Sequence, residues 1–373
     1  MLSLRKVFLG VACASLALWS YFPVRVAFPT PLSVRPILTP LDKYIKSFTI
    51  LEHGGLVHNV AFSPDGEQLI TTSSDNTAKL WDKAGNLVAI LEHGATVWGV
   101  AFSPDGEYSV TTSADQTAKV WTRQGQLLTT LQDHEFGVKG AVFSPDGSKI
   151  LTASYDHTAR LWTRQGELLT TFAGHQGAVN SVEFSPDGSK ILTASSDETA
   201  RLWDMQGETL AILAGHEARV LGAKFSPDGR KIITSSRDDT ARVWDRQGKL
   251  LVTVAHDAPV WVAVFSPDGS KFLTASSDKT ARLWTPQGEI LATIADHEAA
   301  IWYAEFSPGG DYIVTASANQ TAGLSNTEGQ LLTMLTGHQG GVIRAKFSPD
   351  GQLIVTTSSD HTARLWQVRG DKP

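Results

Sequence analysis

Residues 175–203 read HQGAVNSVEFSPDGSKILTASSDETARLW, and this stretch decides the fold because it is copied along the chain. Its centre, FSPDG, recurs eight times on Phe62, Phe102, Phe143, Phe184, Phe225, Phe265, Phe306 and Phe347, always 40 or 41 residues apart, with FSPGG as the variant at 306–310. A His stands nine residues before each Phe and a Thr nine after it. An acidic residue four further on and a Trp six beyond that complete seven of the eight copies. A fixed period of this size marks one supersecondary unit in tandem, and such units bury their apolar faces only by stacking.

Within the quoted copy, Val179, Val182 and Phe184 mark a first short strand that ends at Ser185-Pro186-Asp187-Gly188. Proline presets φ for one position of a tight turn and glycine takes a positive φ at another, so the segment predicts a hairpin. Lys190–Ala194 reads as a second strand, Thr199–Trp203 as a third after the turn at 195–198, and Thr209–Leu213 as a fourth after Gln206-Gly207. Four short antiparallel strands without helical periodicity make a propeller blade. The length from His to Trp never changes, and the single-residue slack always falls between the Trp and the next His, in a connection that tolerates it.

The ends predict a closed ring. Little chain follows Trp366, whereas Tyr44–Leu51 resembles the other fourth strands, such as Leu87–Leu91. An N-terminal strand completing the last blade would remove an open sheet edge. The expected fold is all-β, a single eight-bladed propeller over residues 42–369 with a short tail at 370–373.

With 42% hydrophobic and 19% charged residues, the 373-residue chain is globular in composition. Its net charge is −6, and residues 1–41 hold four bases (Arg5, Lys6, Arg25, Arg35) and no acid. The remainder therefore carries 28 bases against 38 acids, a net charge of −10. Nucleic-acid binding needs a clustered positive surface, so nucleic acid is not an expected partner. Cys13 is the only cysteine and forms no intramolecular disulfide.

Arg5-Lys6 precede sixteen uncharged residues, Val7 to Phe22. As a helix they would span roughly 24 Å, slightly short of a ~30 Å hydrocarbon core. Two readings stand: an uncleaved signal anchor, or a secretory signal cleaved after small residues such as Ser15 and Ala17. The preceding bases favour an anchor with its N-terminus in the cytoplasm. Residues 23–41 contain Pro23, Pro29, Pro31, Pro36 and Pro40, the composition of a semi-rigid spacer. The expected arrangement is a single-pass anchor at 1–22, a spacer at 23–41 and an exported propeller, or a secreted or periplasmic propeller after cleavage.

The repeats resemble the WD-repeat (WD40) family over about residues 43–369. Gly174-His175, Gly215-His216 and Gly337-His338 match its "GH", and Trp81-Asp82, Trp203-Asp204 and Trp244-Asp245 its "WD"; at Trp121-Thr122 and Trp366-Gln367 the Asp varies. Within that family the chain looks like a bacterial-type multi-repeat protein. A His, a hydroxyl and an Asp recurring together also suggest nucleophilic catalysis. The resemblance implies instead that His, Thr, Asp and Trp form a buried hydrogen-bond chain in each blade: His175, Thr193, Asp197 and Trp203, then His216, Thr234, Asp238 and Trp244, and likewise in five further copies. No catalytic residue, metal site or cofactor is expected. The seventh copy departs from the pattern: Asn319 replaces the Asp, Ser325 the Trp, Gly323 the usual Lys or Arg, and Gly309 the turn Asp. Its chain of partners is expected to be broken. Asn319-Gln320-Thr321 also forms a glycosylation sequon, meaningful only in a eukaryotic secretory pathway.

If constant positions build the scaffold, specificity lies where copies diverge. In the family, residues near the start of the first strand and the one before the turn Asp face one mouth of the ring. Here those positions carry His58, Trp98, Lys139, Arg219, Trp261 and Trp302, with Tyr155 and Arg237 before the turn Asp. Three Trp, a Tyr and two Arg around one opening is the composition of binding hot spots. Before the Phe stand Glu183 and Lys224 on consecutive copies, and Glu305 and Lys346 on another pair, so cross-blade ion pairs are expected. The function expected is a non-enzymatic, membrane-tethered protein–protein interaction scaffold, with a small-molecule or glycan binder as the alternative. No obligate homo-oligomer is expected.

Overall fold

The computed structural model of the protein describes residues 43–369. The anchor or signal at 1–22, the spacer at 23–41 and the tail at 370–373 lie outside the described residues. Among the described residues there is no helix.

Eight four-stranded antiparallel sheets are present. In the fourth blade Val179–Phe184, Lys190–Ser195, Ala200–Asp204 and Thr209–Leu213 follow one another outward. Phe184 pairs with Ile191, Lys190 with Asp204 and Ala200 with Leu213. The innermost strand of each blade touches that of the next, and the last touches the first, so the ring is closed.

The hairpin at each FSPDG is held by its own side chains. In the first copy Ser63 Oγ donates to Asp65 Oδ1 at 2.6 Å and accepts from the Gln68 amide at 2.9 Å, while Asp65 Oδ1 accepts from the Glu67 amide at 3.1 Å. Gly66 has φ +72°, a conformation that costs any residue with a Cβ.

The last blade is completed by Ile45–Glu52, one residue later than the sequence implied, paired antiparallel to Thr362–Val368 with Ile50 opposite Arg364. Phe48 packs on Trp366 with ring centroids 4.8 Å apart.

Core clusters straddle neighbouring blades. Leu151, Ala153 and Phe172 of the third pack with Val182, Ile191 and Trp203 of the fourth. Burying such side chains is worth about 1.5–3 kcal/mol each, and no blade achieves it alone.

Every innermost strand has a register shift near its start, as between Val57 and Asn59 or between Val342 and Arg344. Val57 and Val60, three residues apart, are both buried in the core. A bulge of this kind turns the two intervening residues, His58 and Asn59, to the same side. The channel wall therefore takes two consecutive residues from each blade.

Candidate functional site

The recurring His, Thr, Asp and Trp do meet, and their geometry fixes the direction of each bond. In the fourth blade Trp203 Nε1–H donates to Thr193 Oγ1 at 2.9 Å, that hydroxyl donates to His175 Nε2 at 2.7 Å, and Nδ1–H donates to Asp197 Oδ2 at 2.7 Å. In the fifth, the Trp244–Thr234, Thr234–His216 and His216–Asp238 distances are 2.9, 2.7 and 2.6 Å. Burial lowers the imidazoles of His175 and His216 and takes that of His53 down to about 4. Burial would raise the Asp197 carboxyl, but hydrogen bonds from Thr199, the Gln176 amide and His175 hold it at about 2. A neutral ring sits against an ionised carboxylate, and the His175 side chain has no exposed surface. Such a chain fixes strand register and offers no reachable nucleophile.

Of the histidines outside this position, His157 and His361 occupy turns at φ 70° and 69°, and His58 Nε2 is 2.7 Å from Ser74 Oγ. Among the described residues no group of three or more His, Cys, Asp or Glu is arranged to hold a metal ion.

The seventh blade is less broken than its sequence suggests. His297 Nε2 keeps its 2.7 Å bond with Thr315, and Nδ1 lies 3.3 Å from Asn319 Oδ1 and 3.1 Å from Thr321 Oγ1. Within the four-residue chain only the indole link is lost, and Ser325 Oγ is buried without a hydrogen-bond partner. A Cβ on Gly323 would stand 3.5 Å from Leu331 Cδ1, so the fourth strand's side chain approaches where other blades carry a Lys or Arg.

At the end of the ring where the innermost strands begin, two cavities meet. One, of about 360 Å³, is lined by His58, Trp98, Lys139 and Tyr155; the other, of about 620 Å³, by Trp261, Trp302 and Tyr303. Both are lined by Asn59, Lys139, Asn180, Ser181, Ile343 and Arg344. Six of the predicted residues are thus distributed over two adjoining aromatic lobes. Arg237 stacks over the Trp261 ring with its guanidinium 5.3 Å from the centroid. Arg219 is exposed and lines neither cavity, because its position precedes the bulge that turns residues inward, although its charge acts on Lys139.

The three tryptophans are held differently. Trp261 Nε1 donates to Ser277 Oγ at 2.7 Å. Trp98 and Trp302 lie instead against Gly137 and Gly341 of the following blades. Trp98 is also edge-on to Tyr155 at 5.4 Å, and Lys139 stands 5.8 Å over that Tyr155 ring.

Asn59, Tyr303 and Arg344, three residues before their Phe, escaped the sequence reading. The signal was present: buried apolar residues three apart in seven of the eight first strands, as at Val57 and Val60 or Val342 and Ala345, demand a bulge.

Farther along the channel, Lys224 Nζ pairs with Glu183 Oε1 at 3.1 Å across blades, as expected. The second pair does not form. Glu305 accepts from Tyr303 Oη and from the Phe347 amide, each at 2.8 Å; Glu183 accepts the equivalent Phe225 amide and still pairs, so the phenol is what differs. Burial pushes the Glu305 carboxyl up and the Lys346 ammonium down.

A family model described as the IFT122 first beta-propeller matches residues 137–372, and the model of the WD domain, G-beta repeat, matches residues 44–82 and 85–122. The chain belongs to the WD-repeat β-propeller family, whose members are typically scaffolds for protein interaction and generally non-enzymatic. No curated protein matches the sequence. Among solved structures, the computationally designed Ika8 protein is similar with 26% identity and a TM-score of 0.76, over 85% of this chain and 97% of that one.

Proposed function

We propose that the protein is a non-enzymatic interaction scaffold that seats another protein in its Trp-bearing mouth, with residues 1–22 anchoring it in a membrane and residues 23–41 spacing the exported propeller from it. The supporting observation is the division of labour among its residues. The repeated imidazoles, hydroxyls and carboxylates are consumed in buried chains, whereas Trp98, Tyr155, Trp261 and Trp302 gather around one opening. Aromatic and arginine side chains around a concavity are the usual anchors of protein recognition.

The test is capture of a binding protein by the full chain, wild type against Trp261→Ala/Trp302→Ala. Loss of capture with a nearly unchanged Tm supports the mouth as the docking face; undiminished capture removes it. Protease accessibility of the propeller in intact cells tests the topology: protection of residues 43–369 would rule out export.

The cavity of about 620 Å³ favours a second reading, a small-molecule or glycan binder, since ligand pockets commonly span ~300–1,000 Å³. A saturable ligand with no captured protein would decide for it.

A further inference from the structure

We propose that the mouth is an anion seat, in which Lys139 and Arg344 receive a phosphate or carboxylate group while the Trp261 and Trp302 rings bound whatever carries that group. The proposal rests on the mouth being the binding face and adds the chemistry it selects.

Lys139 and Arg344 both line the two cavities, and none of the residues lining either cavity is an Asp or Glu. With residues 42–373 carrying a net charge of −10, a concavity whose only charged lining residues are cations is a local reversal of sign. The channel's carboxylates do not cancel it. Glu183 is engaged by Lys224, and Glu305 by Tyr303 and the Phe347 amide; both line a separate cavity farther along the axis.

Both cations retain donors. Lys139 Nζ donates one hydrogen bond, to Asn180 Oδ1 at 2.8 Å, out of a capacity of three. The Arg344 side chain stacks over the Tyr303 ring at 4.7 Å, makes no hydrogen bond among the described residues, and its Nε is buried. A guanidinium held flat by a ring presents its edge donors in the fork that fits an oxyanion. Burial, with the charges of Arg344, Arg219 and Arg237, takes the Lys139 ammonium down to about 8. Desolvated like charges without a counter-ion destabilise a fold, and an arriving anion removes that cost. Stability withheld in this way is a common signature of a binding site.

Two sources supply such a group: a free small anion, or acidic side chains on a partner's segment. Titration of the full chain in detergent micelles at low ionic strength, followed by tryptophan fluorescence and calorimetry, separates them with three probes: inorganic phosphate, citrate and a tetraglutamate peptide. Saturable binding of phosphate or citrate identifies a free anion; binding of the peptide alone identifies a partner segment. Lys139→Gln and Arg344→Gln should each weaken the bound probe about tenfold or more, the scale of one charge-assisted hydrogen bond. Lys83→Gln, at an exposed Glu67 pair, should leave it unchanged. If Arg344→Gln does not fold, Lys139→Gln and the salt dependence of the wild type decide, because a genuine seat weakens steeply as salt rises.

Failure of all three probes to bind, or binding indifferent to both substitutions, overturns the proposal. That outcome with protein capture still lost in the tryptophan double variant would leave the scaffold reading standing. Anion binding together with capture that survives the double variant would leave the anion seat standing alone.

Discussion

Trp302 lies against Gly341 across the seam between the seventh and eighth blades, and a Cβ at residue 341 would stand 2.9 Å from the indole Cζ3. Trp98 and Gly137 repeat the relationship at 2.7 Å between the second and third blades. In both, the residue before the turn position is an alanine, Ala114 or Ala318, which has no hydroxyl to bond the indole. Trp261 has Ser277 at that place, binds it, and is followed across its seam by Ala300. One hydroxyl thus decides how the ring is held. Gly341→Leu is expected to displace Trp302, cost about 1–3 kcal/mol by overpacking, and shift tryptophan fluorescence. Ser277→Ala is expected to cost about 1 kcal/mol by stranding the Trp261 donor. Unaltered fluorescence and Tm in Gly341→Leu would refute this account of the seam.

The buried chain makes a hydroxyl-specific prediction. Thr193 is donor to His175 and acceptor from Trp203 at once. Thr193→Val keeps the volume and strands both partners, for an expected loss of about 2–4 kcal/mol in urea unfolding. Thr193→Ser keeps the hydroxyl and should lose less than half as much. Equal losses would show that packing, not bonding, matters there. Trp203→Ala should cost about 3–5 kcal/mol.

Asn319 accepts weakly from His297, at 3.3 Å against 2.7 Å for Asp197 and His175. Asn319→Asp restores a charged acceptor for an Nδ1–H donor and should raise stability by about 0.5–1.5 kcal/mol. Hydrogen exchange over residues 311–335 reports whether the missing indole also lets this blade open. Protection equal to that of other blades would exclude a local opening.

Acid sensitivity follows from the imidazoles. Burial lowers His53 from its ordinary 6.5 to about 4, and lowers His93, His175, His216, His256, His297 and His338 in the same direction. Between pH 6.5 and 4 the unfolded chain binds protons that the folded ring refuses, so stability falls as pH drops through this window. His53 alone accounts for on the order of 3 kcal/mol by pH 4. Below 3.8 the depressed carboxylates, Asp197 at about 2 among them, add a second loss as the unfolded chain protonates first. Denaturant midpoints at pH 7.5, 6, 5 and 4 should decline throughout; a flat profile above pH 5 would mean the rings are not buried neutral.

The blade count, the strand order and the donor–acceptor chain were legible because each depends on residues repeated at fixed spacing. Thr209–Leu213 was placed to the residue, and the closing strand to within one. What escaped was local and specific to single copies. The bulge in each first strand was not taken into account, so Arg219, which lines neither cavity, was read alongside residues that do. Arg344 and Tyr303 were passed over for the same reason. Lys346 makes no close ion pair because the Tyr303 phenol takes an oxygen of Glu305, a competitor that a pattern of charges does not show.

Pairing Ile50 with Arg364 joins residues 314 positions apart. On a ribosome, the earliest strand of the propeller to emerge must wait, exposed along one edge, until its partner strand 314 positions later has been made. Loop closure over such a span is entropically slow, so premature termination leaves an unfinished sheet open to pairing with another chain. The fastening that makes the finished ring seamless also makes every incomplete one a hazard to its neighbours.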